Sequence, residues 1–268
     1  MVSPMTLNLL RWLLAMALLL PLAGWVLKPD SPLWRNWRRF ATLAVLSVGT
    51  YNALVYLALH TSNAINVTLV ASMTPVWMLL IGRFFFRQVI SKRQWLGAVM
   101  SVLGVLVVLS RGQWSVLASI ELVTGDLYVL VAAAAWAYYS WMLAHPTTEP
   151  ASIRHDWSAF LLAQIAMGLI WSLAMAGGEW ALGFGQFEAS WSLLWAIVYI
   201  AVGPAILAYR AWAAGVARAG ASVAGFFTNL TPLFTALLSS LFLGEAPHLY
   251  HAMAFLLIAG GILVSSHR

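Results

Sequence analysis

The chain of 268 residues contains no cysteine and few charged side chains. The absence of cysteine excludes disulfides, thiolate metal ligands and cysteine nucleophiles. Only 8% of the residues are charged and 62% are hydrophobic, whereas about 25% of the residues of a soluble domain are charged. The mean hydropathy is +0.86, and the apolar residues extend along the whole length of the chain. No polar block is therefore large enough to form a separate soluble domain. We therefore predict a polytopic membrane protein.

The sequence also lacks the motifs of several enzyme and nucleic-acid-binding classes. It has no His-Glu-x-x-His pattern, no glycine-rich phosphate loop and no Gly-x-Ser-x-Gly pattern. Its six histidines and eight carboxylates do not cluster at metal-ligand spacing. The basic residues stand in short segments between apolar runs, which is not the continuous basic patch that nucleic acid requires. We therefore predict no enzyme activity, no cofactor, no metal site and no nucleic-acid partner.

Nine apolar segments are present, each long enough or nearly long enough to cross about 30 Å of hydrocarbon as a helix. The first segment could be a signal peptide, but its basic residues follow it instead of preceding it, which favours an anchored helix. We predict an all-α protein with membrane spans at 5–27, 40–59, 63–86, 94–110, 125–145, 157–176, 191–209, 221–243 and 248–266.

The basic residues indicate how these spans are oriented. When the loops are assigned to alternate sides, twelve Lys and Arg residues fall on one side and only Arg111 falls on the other, while Arg11 stands inside the first span. Loops on the cytoplasmic side of a membrane are enriched in Lys and Arg. We therefore predict that the basic loops and the C-terminus are cytoplasmic.

The spans form an internal repeat. The run Ser72-Met73-Thr74-Pro75 returns 157 positions later as Asn229-Leu230-Thr231-Pro232, and the alignment continues without a gap. Matched spans are five apart, an odd number, so they cross the membrane in opposite directions. This predicts two inverted repeats, an arrangement found in many secondary transporters. The predicted repeats are residues 1–111, with four spans, and 125–268, with five, and span 125–145 has no partner.

The order of these motifs resembles the EamA type of the drug/metabolite transporter superfamily. No single motif is diagnostic, but their order and spacing through both repeats is specific. The segments that carry the resemblance are Val2–Thr6 with Leu9–Trp12, Ala58–Ala64, Gly125–Leu127 with Trp136–Ser140, Gly220–Ala224 with Leu230–Pro232, and Leu243–Pro247.

The resemblance implies ten helices in two inverted five-helix repeats around a cavity through which small metabolites, often amino acids or amphipathic compounds, move outward. Residues 1–6 resemble the loop after the family's first helix, so we expect that helix to be absent and the N-terminus to be external. A start codon assigned too late is favoured over a shortened chain or a true nine-helix variant.

The charged residues inside or near the spans are few. All eight carboxylates lie at or outside the predicted helix ends, so proton coupling through a buried carboxylate is not predicted. Asp126 and Glu245 are expected to cap helices. We expect Arg11 to extend toward the lipid headgroups. The alternative for Arg11 is a partner on the absent helix.

Polar and aromatic side chains within the spans are the candidates for substrate contacts, because interrupted helices line midplane sites in secondary transporters. The alternative for the Ser and Thr stripes, such as the one that contains Thr231 and Thr235, is helix packing through interhelical hydrogen bonds. The candidate substrate-binding residues are Asn52, Asn66, Ser72, Trp77, Trp136, Tyr139 and Asn229, and the candidate helix breaks are Pro75 and Pro232.

Together these features predict a secondary transporter of the bacterial inner membrane that exports a small organic metabolite by alternating access. Its expected partners are a small-molecule substrate and the lipid bilayer. A cavity lined by aromatic residues without buried charge indicates a neutral, zwitterionic or amphipathic substrate. The alternative is a non-transporting membrane scaffold or lipid-binding subunit, which would have a closed interior with its polar groups paired to one another.

Overall fold

The computed structural model describes residues 2–118, 121, 123–243 and 248–266. These residues are helical almost throughout, and they contain no β-strand, only one isolated bridge between Val2 and Phe187. Nine helical stretches within this part of the chain are long and apolar enough to cross a membrane, which confirms the predicted all-α polytopic fold. They are Pro4–Leu27, Trp37–Thr61, Ile65–Phe85, Lys92–Leu109, Thr124–Ala144, Trp157–Ala181, Trp191–Ala219, Ala221–Phe242 and Leu249–Ser266.

The spans are built from α-helices with short turns of other geometry between them. The 3₁₀ turns are Gly24–Leu27 and Thr228–Leu230, and the π-helical turns are Val45–Tyr51 and Ala201–Leu207. The α-helices are α1 (Pro4–Ala23), α2 (Pro32–Arg35), α3 (Trp37–Ala44), α4 (Asn52–Thr61), α5 (Ala64–Ala71), α6 (Thr74–Phe85), α7 (Lys92–Leu109), α8 (Trp114–Ala118), α9 (Thr124–Ala144), α10 (Ala151–Arg154), α11 (Trp157–Ala181), α12 (Trp191–Ile200), α13 (Ala208–Ala219), α14 (Ala221–Phe227), α15 (Thr231–Leu243) and α16 (Leu249–Ser266).

The prediction for the seventh span was wrong at its end, because the helix continues to Ala219 instead of stopping at 209. The charge of Arg210 suggested the edge of the membrane. In the structure the alanine-rich segment α13 continues the helix, since alanine has the highest helix propensity. The guanidinium of Arg210 stays exposed, with its Cζ 4.4 Å from the centre of the Trp157 ring. The sixth span likewise continues past 176 to Ala181.

The chain forms two compact units, and each unit is built from two separate segments of the sequence. Unit 1 consists of Met1–Leu57 and His145–Gly215, and unit 2 consists of Ala58–Ala144 and Val216–Arg268. Each unit therefore contains spans from both predicted repeats.

In unit 1, α1 packs against α11 with the two chains antiparallel. The backbone amides of Met5 and Thr6 donate to the carboxylate of Glu179 near the end of α11. Farther along α1, the amide of Asn8 lies 3.5 Å from the hydroxyl of Ser172, earlier in α11. These helices belong to spans that the sequence matched at the offset of 157, and they run in opposite directions.

In unit 2, α7 packs closely against its repeat counterpart α16. A Cβ added at Gly97 would lie 2.5 Å from the carbonyl oxygen of Gly261, and one added at Gly261 would lie 2.6 Å from the carbonyl oxygen of Gly97. One turn or two along, Gly104 faces Ala254 and Ile258, so these two helices are also antiparallel. Small residues allow such close approach of helices in a membrane.

Candidate functional site

Each Thr-Pro pair stands at a junction between two helical segments within one span. In the first copy α5 ends at Ala71 and α6 begins at Thr74, with Pro75 in its first turn. In the second copy the 3₁₀ turn Thr228–Leu230 separates α14 from α15, and Pro232 is the second residue of α15. Both spans of unit 2 that carry the motif are thus interrupted at the motif.

The threonine hydroxyl of each pair donates to the carbonyl that stands four residues before its proline. In a continuous helix the residue at position 75 would donate to the carbonyl of Ala71, four residues earlier, but proline has no N–H. The hydroxyl of Thr74 donates to that carbonyl instead, at 2.6 Å. In the second copy the hydroxyl of Thr231 donates to the carbonyl of Thr228 at 2.8 Å, and this carbonyl also accepts from the backbone amide of Thr231. The Thr-Pro pair therefore interrupts a span without leaving this backbone group unpaired.

A buried polar contact joins the two interrupted spans. The side-chain amide of Asn229 donates to the carbonyl of Ser72 at 3.1 Å and to the hydroxyl of Ser101 at 2.9 Å. Asn229 is 2% exposed. The hydroxyl of Ser72 is turned toward its own helix, where it donates to the carbonyl of Leu69. The sequence candidates Ser72 and Asn229 are thus brought into direct contact.

Asn66 takes part in a second buried polar cluster, at the start of α5 and α9. Its side-chain amide donates to the carbonyl of Glu121 at 2.8 Å and to the carboxylate of Asp126 at 3.3 Å. The same carboxylate accepts from the hydroxyl of Ser62 at 2.6 Å and from the backbone amide of Val123 at 2.9 Å. Asp126 therefore caps the start of α9 and joins it to the start of α5.

Two of the aromatic candidates, Trp136 and Tyr139, pack against each other. The rings of Trp136 and Tyr139 on α9 are 5.1 Å apart and tilted, and both side chains are buried. Trp77 on α6 is half-buried. These positions stay predictions as substrate contacts.

Unit 2 contains a cavity of about 530 Å³ beside the second Thr-Pro pair. Hydroxyls line one part of it and basic or aromatic side chains line another. The residues that supply these groups are Thr68, Thr231, Thr235, Arg111, His248 and His251, with Pro232 between the threonines. We call it the unit 2 cavity. Its mixed lining can accept and donate hydrogen bonds and carries positive charge, which suits a small polar or anionic molecule.

The remaining candidate, Asn52, lies in unit 1 in a cluster that the sequence did not suggest. Its side-chain amide donates to the hydroxyl of Tyr209 at 3.0 Å and to the carbonyl of Ser47 at 3.0 Å, and the Tyr209 hydroxyl donates to the same carbonyl at 3.1 Å. Ser47 lies in the π-helical turn Val45–Tyr51, whose repeat counterpart Ala201–Leu207 is also π-helical. A π-turn shifts the helical hydrogen bonds and occurs often at functional sites.

Arg11 lies inside unit 1, so the expectation that it extends toward the headgroups was wrong. The residue is 3% exposed, and its Nη1 donates to the hydroxyl of Tyr56 at 3.0 Å. Its Cζ stands 4.5 Å from the centre of the Trp12 ring, a distance typical of cation–π contacts. Aromatic side chains that belong to α1 and α4 hold the guanidinium within the unit, and this packing was not evident from the sequence.

The candidates are thus divided between the units, and two pairs of them contact each other, Ser72 with Asn229 and Trp136 with Tyr139. Two signals could have found residues that we missed. Tyr209 stands 157 positions after Asn52, the same offset that separates Ser72 from Asn229. Arg111 is the only basic residue assigned to the external side. Glu245, which was expected to cap a helix, lies outside the described residues. Over the part of the chain that is described, no group of three or more potential ligands could hold a metal ion.

The fold is that of a polytopic membrane protein. The model of the EamA-like transporter family matches residues 1–110 and 123–267, so the chain belongs to that family. Families of this kind are transporters and not a class of enzymes.

The relatives of the chain agree with this assignment. The uncharacterized transporter YyaM of Bacillus subtilis is 23% identical over 88% of this chain and 75% of its own length. An uncharacterized transporter of Archaeoglobus fulgidus is 23% identical over 99% and 89% of the two chains. The aromatic amino acid exporter YddG of Ancylobacter novellus is 24% identical over 81% and 71%. Among the solved structures that match, one crystal structure has a TM-score of 0.73 at 20% identity, over 98% of this chain and 87% of the other, which shows the fold alone.

Proposed function

We propose that the protein exports a small organic metabolite, an amino acid or an amphipathic compound, across the bacterial inner membrane by alternating access. The C-terminus lies on the cytoplasmic side in this proposal. The exporter activity in the name of the Ancylobacter relative supports the direction and the substrate class.

The observation that carries the proposal is the unit 2 cavity. Its volume of about 530 Å³ lies within the range of about 300–1,000 Å³ that is usual for small-molecule sites. It lies against an interrupted helix, and broken helices provide the substrate sites of many secondary transporters. Thr235 contributes a hydroxyl that already donates to the carbonyl of Thr231 at 3.0 Å, so its oxygen can accept a hydrogen bond from a bound molecule.

The antiparallel packing of repeat counterparts supports alternating access. In each unit a helix of one repeat packs against its inverted counterpart, α1 with α11 and α7 with α16. When two repeats have equivalent structures in opposite orientation, each can adopt the conformation of the other. This exchange converts an inward-open state of the protein into an outward-open one.

The proposal is tested with inside-out membrane vesicles, in which export appears as uptake. Vesicles that contain the protein should accumulate at least one of labelled L-tryptophan, L-phenylalanine and L-leucine faster than vesicles without it. Thr235→Val removes the cavity hydroxyl with little change in shape and should lower the rate about two- to tenfold, the effect of one hydrogen bond. Ser239→Ala, which removes a hydroxyl from the same helix outside the cavity lining, is the matched control and should leave the rate unchanged. Equal uptake by vesicles with and without the protein, for every compound, would refute the proposal.

A further inference from the structure

Arg11 has two guanidinium nitrogens without a partner in the interior of unit 1. Nη1 donates to Tyr56, whereas Nε and Nη2 are buried and make no hydrogen bond to any described residue. Arg11 is also the only basic side chain that is buried among the described residues. A buried polar atom without a hydrogen-bond partner costs folding free energy.

The charge of the side chain makes this arrangement more costly. Arginine keeps its positive charge in proteins, and an unpaired charge in the membrane interior marks a functional site by default. No carboxylate of the described chain forms an ion pair with Arg11. The carboxylate of Glu179, on the neighbouring helix α11, instead accepts hydrogen bonds from the first turn of α1, at Ser3, Met5 and Thr6.

The two free nitrogens lie on the same edge of the guanidinium plane. Nε–H and the adjacent Nη2–H are nearly parallel, and this edge matches the two oxygens of a carboxylate in a bidentate contact. Nη1 stands on the other side and is held by Tyr56. The contact that orients the guanidinium therefore leaves its carboxylate-binding edge free.

The surroundings favour a monoanion that carries an apolar or aromatic group. One buried cation balances one negative charge, whereas a phosphate dianion would remain partly unpaired. Trp12 is fully buried against the guanidinium, and its ring meets the ring of Tyr209 edge-on, with the centroids 5.3 Å apart. We propose that the Nε–Nη2 edge of Arg11 binds the carboxylate of the transported substrate, at a site within unit 1 that is additional to the unit 2 cavity. This inference rests on the proposed function and narrows its substrate class to carboxylates.

Binding is measured on the full chain in lipid nanodiscs, with pairs of compounds that differ only at the carboxyl group. The pairs are L-tryptophan, L-phenylalanine and L-leucine with their amides, and indole-3-propionate with indole-3-propionamide, which has no ammonium group. At least one acid should bind about tenfold more tightly than its amide, since hydrogen bonds to charged groups are stronger than neutral ones. Arg11→Gln should remove that preference, and Arg11→Lys should keep part of it. Arg38→Gln is the control, because Arg38 also stacks on a tryptophan but is exposed.

A second measurement on the wild-type protein does not depend on how well the variants fold. The Nε resonance of Arg11, assigned by its absence from the Arg11→Lys spectrum, should shift when the acid is added and stay unchanged with the amide. The measurement is repeated in nanodiscs with and without phosphatidylglycerol. A shift that follows the anionic lipid and not the acid would overturn the inference, because the partner would then be a lipid phosphate.

The two proposals fail in different ways. Export with the same preference for acids and amides in the wild type and in Arg11→Gln would overturn the role of Arg11 and leave the transporter in place. Tight binding of an acid with the Arg11 shift, but without uptake into vesicles, would support the carboxylate site and refute export. If no acid binds more tightly than its amide, the inference is wrong.

Discussion

Asn229 donates a hydrogen bond to the carbonyl of Ser72, the residue that holds the same position in the other repeat. In unit 1, Asn52 and Tyr209 are also separated by 157 positions and are also hydrogen-bonded to each other. The predicted inverted repeats make each of these pairs a contact between counterparts, as between residues on the axis of a symmetric dimer. Each unit thus contains a polar contact between repeat counterparts, and mutations there test how the repeats are joined.

Replacing Asn229 with leucine should destabilise the protein moderately. The change removes the hydrogen bonds to Ser72 and Ser101, and such bonds inside a membrane contribute on average about 0.6 and at most about 1.7 kcal/mol. The free energy of unfolding can be measured by titrating the protein in mixed micelles with a denaturing detergent. Ser101→Ala removes only one of the two bonds and should cost less. An equal or larger loss in Ser101→Ala would contradict the dominant role of Asn229.

The Thr74 and Pro75 pair should show strong coupling in a double-mutant cycle. Thr74→Val leaves the carbonyl of Ala71 without its donor, and an unsatisfied buried group costs about 1–3 kcal/mol. Adding Pro75→Ala restores an N–H that can donate to this carbonyl, so the double variant should recover most of the lost stability. The same detergent titration on the two single variants and the double variant gives the coupling energy.

Additive effects would contradict this account of the motif. In the second copy the carbonyl of Thr228 also accepts from the backbone amide of Thr231, so Thr231→Val should cost less than Thr74→Val.

The sequence was sufficient for the features that depend on local pattern. Hydropathy located the nine spans, because each span must be apolar along its own length. The repeated Thr-Pro pairs predicted where helices are interrupted, because proline removes a donor wherever it occurs in a helix. The end of the seventh span was missed, since the charge of Arg210 alone does not reveal that the helix continues to Ala219.

The features that the sequence did not reveal depend on contacts between distant segments. Arg11 is buried because aromatic residues of α1 and α4 surround it, and neither helix alone shows this. The unit 2 cavity brings Thr68, Arg111 and Thr235 together from three separate stretches of chain. The π-helical turn Val45–Tyr51 contains no proline, unlike Ala201–Leu207 with Pro204, and the bonds of Asn52 and Tyr209 to the carbonyl of Ser47 help to explain it.

Adding a methyl group at Gly97 should destabilise unit 2. There is no space for a Cβ between α7 and the backbone of α16 at Gly261, and overpacking costs about 1–3 kcal/mol. Gly97→Ala should therefore lower the free energy of unfolding by that amount. Gly215→Ala is the control, because nothing lies within 4 Å of a Cβ at that position and alanine favours a helix by up to about 1 kcal/mol. A neutral Gly97→Ala would show that the two helices separate easily.

The N-cap of α11 should lose its effect in acid. The carboxylate of Asp156 accepts from the backbone amides of Ser158 and Ala159 and from the Ser158 hydroxyl. Burial raises the pKa of this carboxyl, but these hydrogen bonds together outweigh burial and hold the pKa below the ordinary value of 3.8. Because the folded-state pKa is the lower one, the stabilisation is complete above the unfolded-state pKa and is lost as the pH falls through the folded-state pKa.

Asp156→Ala should therefore lower the free energy of unfolding at pH 7 by about 1 kcal/mol, the usual effect of losing a cap. The difference from the wild type should shrink as the pH falls below about 4. Asp30→Ala changes an exposed loop carboxylate and should have little effect at either pH. A difference that stays constant down to pH 2.5 would rule out the charged cap.

The absence of cysteine permits a direct test of the proposed orientation. Ser115 and Ser266 are both exposed, and the distribution of Lys and Arg places Ser115 outside the cell and Ser266 in the cytoplasm. In intact cells a membrane-impermeant maleimide should label Ser115→Cys and should label Ser266→Cys only after the membrane is opened. The cysteine-free wild type supplies a zero background. Labelling of Ser266→Cys in intact cells would show that the orientation is the opposite of the proposed one.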